Sequence, residues 1–324
     1  IEGLGYSNPI YLSVVSTASS NALAQAAFDS LSGEINASLR SVLLSDSRLS
    51  RGAVLSHLAS ADAGAPVWAQ AIGNWNSFGH DGNGSAADSA TGGFVAGVDR
   101  VYSDAITFGV MGGYTRTGMS VGALASNASM ESLQAGVYLG GAHGAWTYRA
   151  GLLGAYNMVE TDRVAAVPGG FSQSLTSNQD VMSVQAFVET GYAFDLDGAK
   201  LEPFAGLAQV HLRSGSFSET GGSAALTAQA QSNDVTFSWI GLRAETAVSL
   251  FGVDATAKAS AAWQHASAQT ASFSHAFAGG TAFTVKGASF ARDMALIETG
   301  IAMEFGGDTT LDLSYQGQFG KNAE

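Results

Sequence analysis

The sequence has no cysteine and few charged residues. The absence of cysteine among 324 residues excludes a disulfide framework, a zinc–thiolate site and a cysteine nucleophile. Only 13% of residues are charged, and 14 Lys and Arg stand against 27 Asp and Glu, a formal net charge of −13. A strongly acidic chain binds phosphate backbones poorly, so we expect no nucleic-acid partner.

Long hydrophobic runs are absent as well, although 46% of the residues are hydrophobic. A transmembrane helix needs about 18–20 consecutive apolar residues, and no stretch meets that length. No basic segment followed by an apolar core, as in a secretory signal peptide, is found either. The sequence starts at Ile1 without methionine, so we expect a fragment of a longer protein. In a membrane β-barrel, however, lipid-facing and lumen-facing residues alternate, and no long run is needed.

Alternation of apolar and polar residues recurs along the chain. Every second residue is apolar in the stretches 132–139 and 311–316, for example Leu-Asp-Leu-Ser-Tyr-Gln in the second. A period of two is the strand signal. A soluble sandwich with one buried face has the same period, but strands of about 10–14 residues exceed the ~5–6 usual in globular sheets. Aromatic residues at the strand ends, such as Trp75, Tyr102 and Trp146, also favour an outer-membrane barrel.

Residues 21–65 have a helical pattern instead. Ile35, Leu39, Val42 and Leu43 form an apolar stripe at spacings of three and four residues, and Gly33 is expected to divide the segment into two helices. We predict a linker over 1–20, a helical segment over 21–65, and a transmembrane β-barrel over 66–324.

Eleven strands are predicted in the barrel segment, and short turns alternate with longer polar loops between them. This asymmetry is typical of outer-membrane barrels, in which short turns face the periplasm. The predicted strands lie near 66–77, 91–102, 105–118, 129–142, 145–161, 179–194, 200–213, 234–249, 252–265, 289–305 and 308–319.

Four stretches, taken in order, closely resemble the translocator domain of type V autotransporters, and the resemblance covers about residues 8–320. They are the helical Ala-Ala-Phe-Asp-Ser-Leu-Ser-Gly-Glu-Ile at 26–35, Val-Trp-Ala-Gln-Ala-Ile-Gly at 67–73, Gly-Gly-Phe-Val-Ala-Gly-Val-Asp-Arg at 92–100, and Tyr-Gln-Gly-Gln-Phe-Gly at 315–320.

The resemblance implies an all-β fold, an antiparallel up-and-down barrel of twelve strands in the outer membrane of a Gram-negative bacterium. An N-terminal α-helix would lie in the lumen and join an N-terminal passenger to the barrel. The barrel would anchor that passenger and help export it to the cell surface, with the barrel-assembly machinery, outer-membrane lipid and the passenger as partners of a single, monomeric barrel. No ATP, metal or other cofactor is implied, and any enzyme, such as a serine protease or esterase, would be the passenger.

The C-terminal end departs from the family pattern. Family members usually carry one more strand and end in an aromatic residue, whereas this sequence runs from Gly320 to Glu324 without one. Eleven strands also contradict the even count expected of such barrels. We therefore predict that the last strand is missing from this chain or that two strands are merged in the count.

Charged residues on the helix and on the lumen face of the strands are the candidate site residues. Burying a charge demands a partner, so Arg40, Arg48 and Arg51 of the helix are predicted to pair with lumen acids. The alternative is a helix end whose charges are solvated. The candidate acids are Glu189, Glu245, Glu298 and Asp312.

Other functions have weaker signals. Asn36 is a candidate for linker cleavage, since some members of the resembled family cleave the linker with an activated helix asparagine, but an ordinary polar role is the main alternative. The six histidines show no metal-ligand spacing, and no nucleophile elbow is present. A porin-like channel remains the alternative function, although porins seldom begin with a helix such as 21–58.

Overall fold

Three helices open the chain in the computed structural model, which describes residues 9–60, 67–80, 82, 84–103, 106–250, 253–268, 270–305 and 309–320. They are α1 (Pro9–Thr17), α2 (Asn21–Leu31) and α3 (Ile35–Ala59). Gly33 separates α2 from α3 with a φ of +65°, a left-handed conformation that glycine adopts without strain. The segment predicted as a linker thus contains α1. None of the helices in the described ranges is long and apolar enough to cross a membrane.

Sixteen strands follow in the described ranges, eleven of them long. They are β1 (Val67–Phe78), β2 (Ala87–Ser103), β3 (Ile106–Val121), β4 (Ser126–His143), β5 (Trp146–Ala166), β6 (Ser172–Tyr192), β7 (Phe194–Leu196), β8 (Ala199–Ser214), β9 (Phe217–Ser218), β10 (Leu226–Ala228), β11 (Gln231–Leu250), β12 (Val253–Ala266), β13 (Ser272–Phe277), β14 (Phe283–Lys286), β15 (Asp293–Phe305) and β16 (Thr309–Gly320).

The long strands form one antiparallel sheet in sequence order, from β1 through β2, β3, β4, β5, β6, β8, β11, β12 and β15 to β16, with the short β7 paired to β8. Each of the eleven predicted strands overlaps one of them. Several begin earlier than the alternation indicated, because ladder pairing continues into the loops, as where Ser172 pairs with Ala166. The further strand implied by the resemblance stays a prediction.

The sheet has an apolar outer face and a mixed inner face. On β6, Val184 and Val188 are exposed, whereas Gln185, Phe187 and Glu189, which alternate with them, are buried. This is the predicted alternation. Large aromatic side chains also lie on the outer face near the strand ends, as expected for the interface girdles of a barrel. They include Trp75, Tyr102, Trp146, Trp263, Tyr315 and Phe319.

Helix α3 lies inside the curled sheet. Its side chains contact strands in every direction: Asp46 reaches Asn74 on β1, Arg51 reaches Gln185 on β6, and Arg48 reaches Gln316 on β16. Polar and apolar residues of the helix are buried alike, as expected for a helix without a solvent face.

A second, four-stranded sheet covers one end of the barrel. Strands β9, β10, β13 and β14 come from the two longest loops and pair in the order β14, β13, β10, β9. Helices α1 and α2 pack on this sheet through a shared apolar cluster that contains Val14, Leu31, Leu226 and Phe277. We call the small sheet with α1 and α2 the cap. It lies at the end of the barrel where the long loops are found.

Candidate functional site

The first turns of α3 are held near the cap by an amide and an aromatic ring. Asn36 Oδ1 accepts a hydrogen bond from Gln179 Nε2 at 3.0 Å, and Arg40 Nη2 donates to Gln179 Oε1 at 3.3 Å. Arg40 also donates to the backbone oxygen of Asn36. Its guanidinium carbon lies 3.5 Å from the centre of the Phe273 ring in β13, a cation–π distance. These contacts therefore connect the barrel wall, the start of α3 and the cap.

One turn further on, Asp46 is bound by neutral donors from three adjacent strands. Its carboxylate accepts hydrogen bonds from Asn74 at 3.1 Å and Asn76 at 3.4 Å on β1, from Thr91 at 2.6 Å on β2, and from Thr117 at 3.4 Å on β3. Asp46 is not among the predicted site residues. An Asp between two serines on a polar helix face carries no signal that distinguishes it from a solvated residue.

The middle of α3 carries the other two predicted arginines. Arg48 Nη1 donates to Gln316 Oε1 at 2.9 Å, and Arg51 Nη1 donates to Gln185 Oε1 at 2.7 Å. Ser56, one turn on, donates to Glu298 Oε1 at 3.3 Å. The predicted partners of the helix arginines were carboxylates, whereas the hydrogen-bond acceptors that the described residues supply are amide oxygens.

Two carboxylates of the wall, those of Glu189 and Glu202, are bound by arginines of the wall. Glu189 Oε1 accepts from Arg149 at 3.0 Å and from Arg243 at 3.3 Å, and its Oε2 accepts from the Trp239 indole at 2.9 Å. Arg149 and Arg243 also reach Glu202, at 2.7 and 3.3 Å. Since two strand arginines satisfy Glu189, it is not left for the helix arginines.

The last turn of α3 is bound at the opposite end of the barrel. His57 Nε2 lies 2.7 Å from Asp99 Oδ2, and Tyr138 donates to the same carboxylate. The His57 ring stacks on Trp68 with 4.6 Å between ring centres. Trp68 is the second residue of β1, and Asp99 and Tyr138 lie near the ends of β2 and β4 that lead to tight turns. The motif segments 67–73 and 92–100 therefore meet here.

Three predicted site residues remain. Glu245 lies on β11, paired in register with Lys258 and Lys200. Asp312 pairs with Ala302 through the backbone of β16, and its side chain lies outside the described residues. Asn36 contacts Gln179 and Arg40, so amide and guanidinium groups surround the candidate for linker cleavage, which stays a prediction.

The arrangement is a ladder of contacts along one helix, and it holds that helix rather than a small substrate. Within the described ranges, no group of three or more Asp, Glu or His side chains is placed to hold a metal ion. Contacts at the levels of Arg40, Asp46, Arg51 and His57 span the whole of α3 and fix it in the lumen.

Comparison with known proteins agrees with this geometry. Two extracellular serine proteases of Serratia marcescens are 30% identical to this chain over 329 and 327 residues, which cover 97% of it. The chain spans only 31% of the length of these relatives.

Solved structures show the same fold. The translocator domain of the autotransporter NalP from Neisseria meningitidis superposes with a TM-score of 0.71 at 15% identity, covering 88% of this chain and 94% of that one. The β-domain of the Bordetella autotransporter BrkA has a TM-score of 0.56 at 16% identity, with 80% and 93% covered. The transport unit of AIDA-I from Escherichia coli has a TM-score of 0.54 at 16% identity, with 80% and 86% covered.

The family model described as the autotransporter beta-domain matches residues 67–316, from the first residue of β1 into β16. This match takes in the wall of the barrel and most of the residues that hold α3. The chain therefore belongs to the autotransporter β-domain family, and it is an outer-membrane barrel of the Gram-negative type.

Proposed function

We propose that this domain anchors an N-terminal passenger in the outer membrane and helps export it to the cell surface. The observation that carries the proposal is the direction of α3. Its first turns contact the cap at the long-loop end, and its last turn, at His57, contacts the tight-turn end. Long loops of outer-membrane barrels face outward, so the N-terminal end of α3, together with α1 and α2 in the cap, lies on the outside of the cell.

The porin alternative finds no support. An open channel needs a free lumen, whereas α3 runs along this lumen and is held at four levels by Arg40, Asp46, Arg51 and His57. The matches of the wall to autotransporter translocators point in the same direction. We infer that the contacts retain the helix once export has ended.

The passenger belongs to the same polypeptide in our proposal, upstream of this domain. The translocator domain is not itself catalytic. Because the Serratia marcescens relatives are named extracellular serine proteases, a serine protease is the passenger activity that we propose first. Barrel-assembly machinery and outer-membrane lipid are the further partners, and a single barrel is the proposed unit.

The direction of α3 can be tested with one epitope tag in two positions. The chain is expressed behind a secretory signal, with the tag either before Ile1 or inserted at Gly144, the tight turn between β4 and β5. On intact cells we expect antibody and protease to reach the N-terminal tag but not the tag at Gly144. Breaking the outer membrane should make both tags accessible.

Heat-stable, protease-resistant barrel must be present in the outer membrane for both versions, which shows that neither tag blocks assembly. An N-terminal tag that stays in the periplasm while such a barrel has assembled would contradict the proposal. Equal access to both tags on intact cells would contradict the orientation.

A further inference from the structure

A cavity of about 90 Å³ lies between α3 and the barrel wall, beside the middle of the helix. Its lining includes Arg48, Arg51 and Arg243 together with Glu189 and Glu298. Arg243 is paired with Glu189 and Glu202 of the wall, whereas Arg48 and Arg51 donate to amide oxygens and make no ion pair with a carboxylate within the described ranges. The volume exceeds the ~30 Å³ that one water molecule occupies in the liquid, so a small ion with one or two waters fits.

Two N–H donors of this lining have no hydrogen-bond partner among the described residues. They are Arg48 Nε and Arg51 Nη2, and both are buried. The Arg51 residue is only 2% exposed. A buried charged donor without an acceptor is costly, and such groups call for an explanation such as a bound water or ion.

The carboxylates of the lining are not placed to satisfy these donors. Glu189 accepts from Arg149 and Arg243 through Oε1 and from Trp239 through Oε2. Glu298 accepts from Ser56 on the helix. Aromatic rings also lie near Arg51, since its guanidinium carbon lies 5.4 Å from the ring centres of Phe237 and Trp239.

We propose that this cavity binds a small monovalent inorganic anion of the chloride class, held between Arg48 Nε and Arg51 Nη2. An anion accepts from both unpartnered donors and places a negative charge beside Arg48 and Arg51, which form no ion pair with a carboxylate among the described residues, whereas a water molecule accepts but brings no charge. Gly52 leaves room for it, because the helix has no side chain at this point of the lining. The anion would join α3 to the wall where carboxylates do not.

Crystals of the full 324-residue chain grown in sodium bromide test the site directly. We expect an anomalous bromide peak within hydrogen-bond distance of Arg48 Nε and Arg51 Nη2. Density for water alone at this place, without an anomalous signal, would overturn the proposal.

Thermal unfolding in detergent gives an independent test. A ligand that binds only the folded state raises its stability, so we expect a Tm about 2–4 °C higher in chloride than in gluconate at equal ionic strength. The difference should vanish in Arg51→Gln and persist in Arg40→Gln, a buried arginine outside the cavity. If Arg51→Gln does not fold, Arg48→Gln serves the same purpose. Equal Tm values of the unaltered chain in both salts, or an equal salt effect in all variants, would refute the site.

Discussion

Asp46 illustrates at the scale of one residue how the lumen holds its helix. The carboxylate receives hydrogen bonds from neutral amides and hydroxyls of β1, β2 and β3, of which Thr91 is the nearest at 2.6 Å. Donors that point into the lumen from these strands would lose their acceptor without it. A single side chain of the helix thus organises three strands of the wall.

We expect Asp46→Ala to lower the free energy of unfolding by about 1–3 kcal/mol, because inward-facing donors are left unsatisfied. Asp46→Asn should lose less, since the amide keeps one acceptor oxygen. Thermal unfolding of the folded barrel in detergent measures both changes.

Ser47→Ala is the matched control for Asp46→Ala, because among the described residues the Ser47 hydroxyl bonds only to the Leu44 oxygen of its own helix. A loss in Ser47→Ala as large as that in Asp46→Ala would mean that any polar truncation weakens the helix. The role assigned to Asp46 would then be wrong.

The sequence predicted a polar lumen and a charged helix, but not which side chains meet. Arg51 donates a hydrogen bond to Gln185 rather than to Glu189, although Gln185 and Glu189 lie only four positions apart on β6. Which acceptor Arg51 binds depends on the position of the helix along the barrel axis and on the register of the sheet. Both are set by tertiary packing of distant segments, and no local pattern of residues encodes them.

At the scale of elements, α2 lies within the segment predicted as helical, whereas the small sheet of the cap is the part that sequence patterns missed. Its strands lie in loops rich in Ser, Ala, Gly and Thr, and β9 and β10 have only two and three residues. Such pieces are stable only through contacts from elsewhere, as in the buried pair of Arg163 and Glu219, 2.7 Å apart. The alternation of Phe273, His275 and Phe277 was the one signal that could have identified β13.

His275 makes the junction of cap and helix sensitive to acid. Its Nε2 donates to the Ser32 backbone oxygen at 2.6 Å, and burial lowers the pKa of His275 to about 4, with Arg163 and Arg40 acting in the same direction. The His275 imidazole binds a proton near pH 6.5 when the cap is unfolded, but only near pH 4 when the cap is folded. Stability of the cap is therefore lost as the pH falls through this window, by roughly 3 kcal/mol.

Hydrogen exchange of β13 amides between pH 4 and 7, corrected for intrinsic rates, measures this loss. We expect protection to fall with the pH in the unaltered chain and to vary much less in His275→Gln. His211→Gln removes an exposed histidine on the barrel wall and should retain the full dependence. Protection that does not vary with pH in the unaltered chain would contradict the prediction.

At the scale of the whole molecule, the alternation of residues along the strands predicted both faces of the wall. Leu152 of β5 is 51% exposed and lies between the outward-facing aromatic residues Trp146 and Tyr156 of its own strand, and Val67, the first residue of β1, is 68% exposed. Both are aliphatic and both point outward. They differ in depth, because the centre of the bilayer lies between the two aromatic girdles.

We therefore expect Leu152→Arg to destabilise the barrel in lipid by about 2–4 kcal/mol and Val67→Arg by about 0–1 kcal/mol. Unfolding in urea from phosphatidylcholine vesicles measures the difference. Equal effects of the two variants would show that this face does not contact hydrocarbon as a membrane wall does.

The contacts of α3 also set an order of events in time. Ser56 meets Glu298 across 242 positions, and Arg48 meets Gln316 across 268. Contacts between such distant positions form late, because closing long loops is entropically unfavourable. The helix is synthesised before every strand, yet its set of contacts with the wall is complete only when β15 and β16 have joined the sheet. The first long helix of the chain is thus among the last elements to become fixed.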